Sequence, residues 1–114
     1  MAGLGTTLES LDLSNNFLIG LIPSNLGQLE NLNSLQLDSN QITGHILVEL
    51  GNLALLQYLN LSNDSLFGSI PAEIAKAISI LPKELANIPY INLSYNSFDF
   101  SEDLDSNSKL PVTL

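Results

Sequence analysis

The side chains that could do chemistry in this sequence are few and scattered. The chain contains a single histidine, His45, and no cysteine. A hydrolytic triad needs a nucleophile, a base and an orienting group within reach of one another. The serines recur at regularly spaced positions, and there is no second histidine or cysteine to activate one of them. We therefore expect no catalytic residues and no enzyme activity.

Metal and cofactor chemistry has equally little support. Four carboxylates near the end of the chain could offer oxygen ligands to a hard cation: Asp99, Glu102, Asp103 and Asp105. They lack the glycine-punctuated loop of an EF-hand, so a solvated tail is the favoured interpretation. The absence of cysteine excludes disulfides and thiolate metal sites. No glycine-rich phosphate loop or kinase signature is present, and we predict neither a metal nor a cofactor.

The charge balance excludes two classes of partner. The formal net charge is −9, and the only cations besides histidine are Lys76, Lys83 and Lys109. Binding to nucleic acid requires cations that replace the counterions on phosphate, and anionic membranes attract basic surfaces. No stretch approaches the roughly 18 apolar residues of a membrane span. We expect no nucleic-acid binding and no direct membrane insertion.

A repeated sequence motif determines how the side chains are positioned. The first copy of the motif begins at Leu8, a second begins at Leu32, 24 residues later, and a third begins at Leu56. A period in this range indicates a solenoid, which buries its apolar residues between neighbouring repeats. Each copy contains Leu-x-Leu, whose alternation predicts a short strand with one buried face. We expect these strands to lie side by side and parallel.

Each copy of the motif has turn-forming residues at the same positions. Gly20, Gly44 and Gly68 fit positions that need a positive φ or tolerate no side chain. Pro23 and Pro71 stand where a short helical turn would begin. Gly27 and Gly51 fit the end of that turn. The expected fold class is an α/β repeat solenoid, with parallel strands on the concave face and 3-10 or short helical turns on the convex side.

These motifs resemble the plant-specific leucine-rich repeat of cell-surface receptor-like kinases and receptor-like proteins. The resemblance rests on Leu11–Asn16, Asn40–Ile46, Leu59–Ser62 and Pro89–Asn96, and it spans residues 8–98. It implies a ladder of asparagine side chains between coils, at Asn16, Asn40, Asp64 and Asn96. Asp64 replaces the expected asparagine, and because a carboxylate accepts but cannot donate, we expect a weak point there.

The repeat loses its regularity in the second half of the chain. We predict repeats at about 8–31, 32–55 and 56–79, a partial repeat at 88–100 and an acidic polar tail at 101–114. The elements Ile70–Ile74 and Leu81–Leu85 are copies of one another only 11 residues apart, which indicates a deletion. The intervening apolar spacing predicts a helical irregularity near 72–87, interrupted at Pro82.

The residues between and beside the strand leucines should point away from the core and line up in three rows. The first row is Ser10, Ser34, Tyr58 and Tyr90, the second is Asp12, Gln36, Asn60 and Asn92, and the third is Ser14, Asp38, Ser62 and Ser94. The resembled family uses such a concave surface to hold peptides, hormones or partner ectodomains. Ordinary strand-surface residues are the alternative interpretation of all twelve.

Three sequons, at Asn60, Asn63 and Asn92, would accept N-linked glycans if the chain were secreted. Glycans at Asn60 and Asn92 would cover the face just described, and Asn-Leu-Ser also follows from the repeat pattern itself. The resemblance implies an extracellular or cell-surface location. Residues 1–7 have neither the basic start nor the apolar run of a signal peptide, so the sequence as written predicts a cytoplasmic protein.

The predicted function is a non-catalytic module that binds a peptide or protein ligand, or a co-receptor ectodomain, on its concave face. Two alternatives remain at this point. One is an ice-binding protein, whose rows of small polar residues would order water. The other is a secreted inhibitor of wall-degrading enzymes. Exposed ends of a solenoid also leave apolar surface and strand edges open, so we expect marginal stability or self-association through the ends.

Overall fold

Each 24-residue copy of the repeat forms one coil, which contains two short strands and, in the first two coils, a 3-10 turn. The computed structural model describes residues 7–69, 71, 90–98 and 112–113. The helical irregularity predicted for 72–87 lies outside these residues, as does most of the predicted tail.

The first strand of each coil belongs to a five-stranded parallel sheet, which we call the concave sheet. Its strands are β1 (Ser10–Asp12), β3 (Ser34–Gln36), β5 (Tyr58–Asn60), β7 (Tyr90–Asn92) and β9 (Val112–Thr113), in that order. Leucines align from coil to coil, with Leu11 opposite Leu35 and Leu35 opposite Leu59. The predicted strands on the concave side are therefore confirmed.

Residues 112–113 differ from the prediction. They fall within the segment predicted as an acidic polar tail, but β9 pairs in parallel with β7, Ile91 opposite Val112. The backbone of this strand therefore extends the concave sheet beyond the last recognisable repeat.

A second sheet, absent from the sequence prediction, runs along the side of the coils, and we call it the lateral sheet. Its strands are β2 (Ile19–Leu21), β4 (Gln41–Gly44), β6 (Ser65–Gly68) and β8 (Ser97–Phe98), also parallel and in chain order. In the first three strands residues pair with partners 22 positions later, as in Leu21 with Thr43 and Thr43 with Ser65, and between β6 and β8 the offset is 30, as in Phe67 with Ser97. Each strand has at most four residues, so neighbouring coils must supply the hydrogen bonds that define it.

Among the described residues, the convex side carries two 3-10 turns, Ser24–Gln28 and Val48–Asn52. Pro23 precedes the first turn in an extended conformation with φ −73° and ψ 133°. Leu47 precedes the second with φ −86° and ψ 140°. Leucine thus takes the proline position without changing the backbone. The turns contribute Leu26 and Leu50 to the core.

Gly27 corrects one sequence-based expectation. Because glycine is common where helical turns end, the sequence predicts that the first 3-10 turn ends at Gly27. In the structure Gly27 lies inside this turn, which ends at Gln28. A Cβ atom at this position would stand 2.5 Å from the backbone oxygen of Glu49 in the next coil. Close packing of neighbouring turns, and not a left-handed conformation, therefore requires glycine here.

One apolar cluster fills the interior between the coils. Leu32, Leu35, Leu53, Leu59 and Leu61 have no exposed surface. Burial of side chains of this size contributes roughly 1.5–3 kcal/mol each, and the inward faces of the concave strands supply much of it. Among the described residues, no helix is long and apolar enough to span a membrane.

Candidate functional site

The concave sheet aligns the predicted site residues in rows. Ser10 lies opposite Ser34, Ser34 opposite Tyr58, and Tyr58 opposite Tyr90. The same strand pairs set the second row in register: Asp12, Gln36, Asn60 and Asn92. The third row follows the strand ends and is aligned by backbone bonds in which Ser39 donates to Ser62 and Asn63 donates to Ser94, both at 2.9 Å.

Exposure varies along these rows. Ser10 and Asp12 of the first coil are exposed, and most members in the later coils are half-buried. Ser94 is the exception, because it is only 9% exposed and thus lies within the packed structure. The expectation that it lies on an accessible row is wrong, and its hydroxyl is committed to Asn92.

In three coils the second-row side chain accepts two hydrogen bonds from the third-row serine, and these bonds hold the two rows together. In the first coil, Asp12 Oδ1 accepts the backbone N–H of Ser14 at 3.0 Å and its hydroxyl at 2.6 Å. The third and fourth coils repeat this geometry with Asn60 and Ser62 and with Asn92 and Ser94, at the same distances. The acceptor oxygens are therefore held in place before any ligand arrives.

The second coil departs from this arrangement. Gln36 and Asp38 replace the short acceptor and the serine, and the Oδ1 atom of Asp38 is buried with no hydrogen-bond partner in the described structure. The concave face thus carries carboxylates at Asp12 and Asp38. The two hydrogen bonds from the Ser14 hydroxyl and backbone lower the pKa of Asp12, so it stays ionised over the usual pH range.

Two tyrosines lie side by side on the concave face. The rings of Tyr58 and Tyr90 stack with centroids 4.6 Å apart and planes 12° from parallel. The amide nitrogen of Asn92 donates to the Tyr90 hydroxyl at 3.1 Å and so fixes the orientation of that ring. Sequence reasoning places both tyrosines in one row but does not identify the stack or this bond. The adjacency of two aromatic residues in a row is the available signal.

The asparagine ladder joins the coils that carry the three rows. The Asn40 amide donates to the carbonyl oxygens of Leu13, Leu37 and Asp38, and its Oδ1 accepts the N–H groups of Asn16 and Leu18. This single side chain therefore connects two coils.

Asn96 repeats the arrangement at the fourth coil. Its amide donates to Leu61, Leu93 and Ser94, and its Oδ1 accepts from Leu66 at 3.0 Å. Within the part of the chain that the structure describes, Asn16 donates to carbonyls of its own coil, Leu13 and Ser14.

The three sequons occupy different environments. Asn60 and Asn92 are half-buried members of the second row, and each holds a serine through Oδ1. Asn63 is exposed and takes a left-handed conformation with φ 54°. Only a long contact of 3.4 Å joins its amide to Ser39.

The single histidine lies on the lateral side and not in the rows. His45 follows β4, and its ring meets the edge of the Phe67 ring at a centroid distance of 4.8 Å. Among the described residues, no group of three or more His, Asp or Glu side chains is arranged to hold a metal ion. What the described concave face offers is aromatic surface, amides, hydroxyls and two carboxylates.

Comparison with a protein-family model gives one match. The model described as "Leucine rich repeat" matches residues 6–66, which include the first two coils and the start of the third, through Leu66. No curated protein matches the chain.

Solved structures give closely similar folds. A chain of the BIR3–SERK2 complex from Arabidopsis thaliana is 33% identical with a TM-score of 0.70, and the match covers 82% of this chain and 46% of that one. The plant peptide hormone receptor RGFR1, in complex with RGF2, is 36% identical with a TM-score of 0.65, over 80% and 17% of the two chains. A plant ice-binding protein is 31% identical with a TM-score of 0.64, over 80% and 27%. The chain therefore spans less than half of each of these structures.

Proposed function

The chain belongs to the leucine-rich-repeat family, and from that premise we propose that it is a non-catalytic module that binds a peptide or partner protein on its concave sheet. Its structure is similar to ectodomains of plant leucine-rich-repeat receptors, among them a receptor bound to a peptide hormone. The proposal applies to the described coils, which form only part of the length of such receptors.

The stacked pair Tyr58–Tyr90 is the observation that carries this proposal. Aromatic side chains bury a large area at little cost in conformational entropy, and tyrosine also presents a hydroxyl to the ligand. The stack and the bond from Asn92 hold these rings before binding, which reduces the entropy that a ligand must offset. The pair is half-buried, so part of its surface remains open to a ligand.

The flanking rows define the chemistry of the ligand. Gln36 and Asn60 lie in neighbouring strands next to the tyrosines and can bond to the peptide groups of an extended segment. Asp12 and Asp38 add negative charge, and all three lysines lie outside the described residues. A peptide with an aromatic or apolar anchor and at least one basic side chain fits this face.

Selection from a phage-displayed random-peptide library tests the proposal even while the natural ligand is unidentified. The full chain serves as bait, and selected peptides are then measured by titration calorimetry against the chain and its variants. Tyr58→Ala and Tyr90→Ala are each expected to weaken binding by about tenfold or more, the effect of losing an aromatic anchor. Ser24→Ala, on the exposed convex turn, is the matched control and should leave affinity unchanged.

Two results would reject a concave binding site. One is the absence of any selected peptide that binds the chain in solution. The other is binding that survives both tyrosine substitutions, which would place the ligand elsewhere. Circular dichroism of each variant separates loss of the site from loss of the fold.

Ice binding is a second candidate, supported by the similarity to the plant ice-binding protein. The exposed positions of the lateral sheet include Gln41, Thr43, Ser65 and Ser97. Thermal hysteresis in a nanolitre osmometer measures this activity directly. Freezing and melting points that coincide over the soluble concentration range would eliminate it.

The similarity to receptor ectodomains also supports an extracellular location for this chain. In that setting the exposed Asn63 is the sequon best placed for a glycan, and it lies outside the three concave rows. A glycan there would leave the tyrosine pair accessible.

A further inference from the structure

The contact between Tyr58 and Tyr90 joins the third and fourth coils across the break in the repeat. The two residues are paired in β5 and β7 although they lie 32 positions apart, whereas Ser34 and Tyr58 pair at the regular offset of 24. The chain contains no cysteine, so no disulfide can join these two coils. A covalent bond between them must come from other side chains.

The two phenol rings are held against one another by the fold. Their centroids are 4.6 Å apart and their planes are 12° from parallel, which is an offset-stacked arrangement. Because the two residues are register partners in neighbouring strands, the rings stay together as long as these coils are paired. Both residues are half-buried, so part of each ring is open to solvent. A reaction between two groups held in this way is effectively unimolecular.

The hydrogen bond to Tyr90 leaves the hydrogen of its hydroxyl group available. The hydroxyl oxygen accepts the amide N–H of Asn92 at 3.1 Å, and the O–H hydrogen takes no part in this bond. The oxygen of a phenoxyl radical is still an acceptor, so the same amide can continue to donate after the hydrogen atom has left. The bond therefore holds the ring in place before and after oxidation.

From this geometry we propose that Tyr58 and Tyr90 form a site of oxidative cross-linking, where a haem peroxidase acting with hydrogen peroxide joins the two rings as dityrosine. One peroxide is consumed for each cross-link. Each phenol loses one hydrogen atom, and these two atoms combine with the cleaved peroxide to give two molecules of water. The proposal concerns a modification of the chain and does not depend on peptide binding.

The two phenoxyl radicals then couple within the pair. A carbon–carbon bond forms between one Cε atom of each ring, and the hydrogen on each bonded Cε moves to the phenol oxygen, which restores both hydroxyl groups. Aromatic χ2 torsions have broad minima, so the rings can turn out of the stack to bring these carbons together. The product is lighter than the original chain by two hydrogen atoms.

Tyr95 shows what the pairing adds. It is the third tyrosine of the chain and is 82% exposed, so an oxidant reaches it more easily than either member of the pair. Among the described residues, no aromatic ring stacks on it. A radical at Tyr95 therefore has no second phenol held beside it. Contact between rings, and not exposure, determines which tyrosines couple within one chain.

The cross-link would also stabilise the junction of the two coils. It would close residues 59–89 into a covalent loop, and a cross-link of this kind restricts the unfolded chain more than the folded one. The purified cross-linked chain should therefore unfold at a higher urea concentration than the unmodified chain.

Oxidation of the full chain at micromolar concentration with a haem peroxidase and hydrogen peroxide tests the proposal. The basic residues are Lys76, Lys83 and Lys109, with no arginine, so trypsin separates residues 1–76 from residues 84–109. Mass spectrometry should find these two fragments joined, two hydrogen atoms lighter than their sum, together with dityrosine fluorescence. The cross-linked protein should keep the monomer mass of 12.3 kDa.

Three conservative variants identify the residues that react. Tyr58→Phe and Tyr90→Phe keep an aromatic ring but lose the phenol, and each should lower the yield of joined fragments about tenfold or more. Tyr95→Phe is the matched control, because it removes the exposed phenol in the same fragment as Tyr90 and should leave the yield unchanged. Circular dichroism of each variant confirms that it is folded before oxidation.

Several results would overturn the proposal. One is the absence of joined fragments from the folded wild type, and another is an equal yield from Tyr90→Phe. Loss of the joined fragments in Tyr95→Phe would assign the link to the wrong tyrosine. A cross-linked chain that unfolds at a lower urea concentration than the unmodified chain would show that the bond forms outside the native pairing. No peptide is present in this experiment, so its result is separable from that of the peptide-binding test.

Discussion

The Oδ1 atom of Asp64 accepts the backbone N–H of Ile42 at 3.0 Å, while its Oδ2 atom is buried with no hydrogen-bond partner in the described structure. At the equivalent position of the neighbouring coils, the amide groups of Asn40 and Asn96 each donate to three carbonyl oxygens. By this equivalence Oδ2 faces carbonyl oxygens, which an ionised carboxylate cannot satisfy. The neutral acid has an O–H that can donate to one of them.

The first prediction is that the chain is most stable at mildly acidic pH. Burial raises the pKa of Asp64 to about 6 from 3.8, and the negative charge of Asp38 adds a smaller increase. The N–H groups of Ile42 and Asn40 act in the opposite direction. Because the folded pKa is raised, the folded state binds more protons, and the stability from the neutral acid is lost as pH rises from about 4 through 6.

Urea denaturation at a series of pH values measures this dependence, with the midpoint expected to fall between pH 4 and pH 7. Asp12 has the opposite sign, since its pKa is lowered, and its contribution is lost only as pH falls below about 4. The two effects therefore occupy separate pH windows. A midpoint that is constant or rises from pH 4 to pH 7 contradicts the assignment to Asp64.

The second prediction is that Asp64→Asn stabilises the chain at pH 7. An amide restores a donor to the ladder without changing the size of the side chain, and one or two recovered hydrogen bonds contribute about 1–2 kcal/mol. The variant should also lose the decline in stability between pH 4 and pH 7. Asn40→Asp is the matched control, because it introduces the same defect into a complete position and should reproduce both effects in reverse.

Much of this architecture could be predicted because it follows from the period alone. The spacing of Leu11, Leu35 and Leu59 determines strand, direction and register together, and it also gives the rows of the candidate site. The lateral sheet could not be predicted in the same way. Strands such as Ile19–Leu21 are too short to show an alternation of their own, and they exist because stacked coils supply their partners.

Contacts between coils account for the other differences. The residue type of Gly27 suggests a helix end, but the deciding contact is with Glu49, 22 residues away. The burial of Ser94 depends on its packing in the fourth coil, where the repeat has already lost its period. The missing donor alone identifies Asp64 as a weak point, whereas its protonation follows from the burial shown by the structure.

The third prediction compares one leucine position in two coils. Leu35 has no exposed surface and lies between β1 and β5, so Leu35→Ala should destabilise the chain by about 2–5 kcal/mol. Leu11 is the same position in the first coil and is only partly buried, so Leu11→Ala should cost clearly less. Urea denaturation of both variants gives the difference. Equal losses would show that the first coil is as well covered as the second.

The fourth prediction concerns the packing of the two 3-10 turns. Gly27→Ala would bring a methyl group to 2.5 Å from the Glu49 backbone oxygen, and backbone cannot move aside as a flexible side chain can. The turns must separate, at a cost of about 1–3 kcal/mol in unfolding free energy. Ser24→Ala in the same exposed turn is the control and should change the thermal midpoint little. A Gly27→Ala variant as stable as the wild type would show that the turns are not in fixed contact.

The fifth prediction ranks the sequons for a chain expressed through a secretory pathway. Asn63 should carry a glycan more often than Asn92, because it is exposed and only a long contact to Ser39 occupies its amide. The amide nitrogen of Asn92, to which a glycan would be attached, already donates to the Tyr90 hydroxyl. Mass spectrometry of the wild type and of Asn63→Gln and Asn92→Gln variants measures occupancy at each site. Higher occupancy at Asn92 than at Asn63 would mean that the bond to Tyr90 forms too late or too weakly to protect the concave face, and would count against a pre-ordered tyrosine pair.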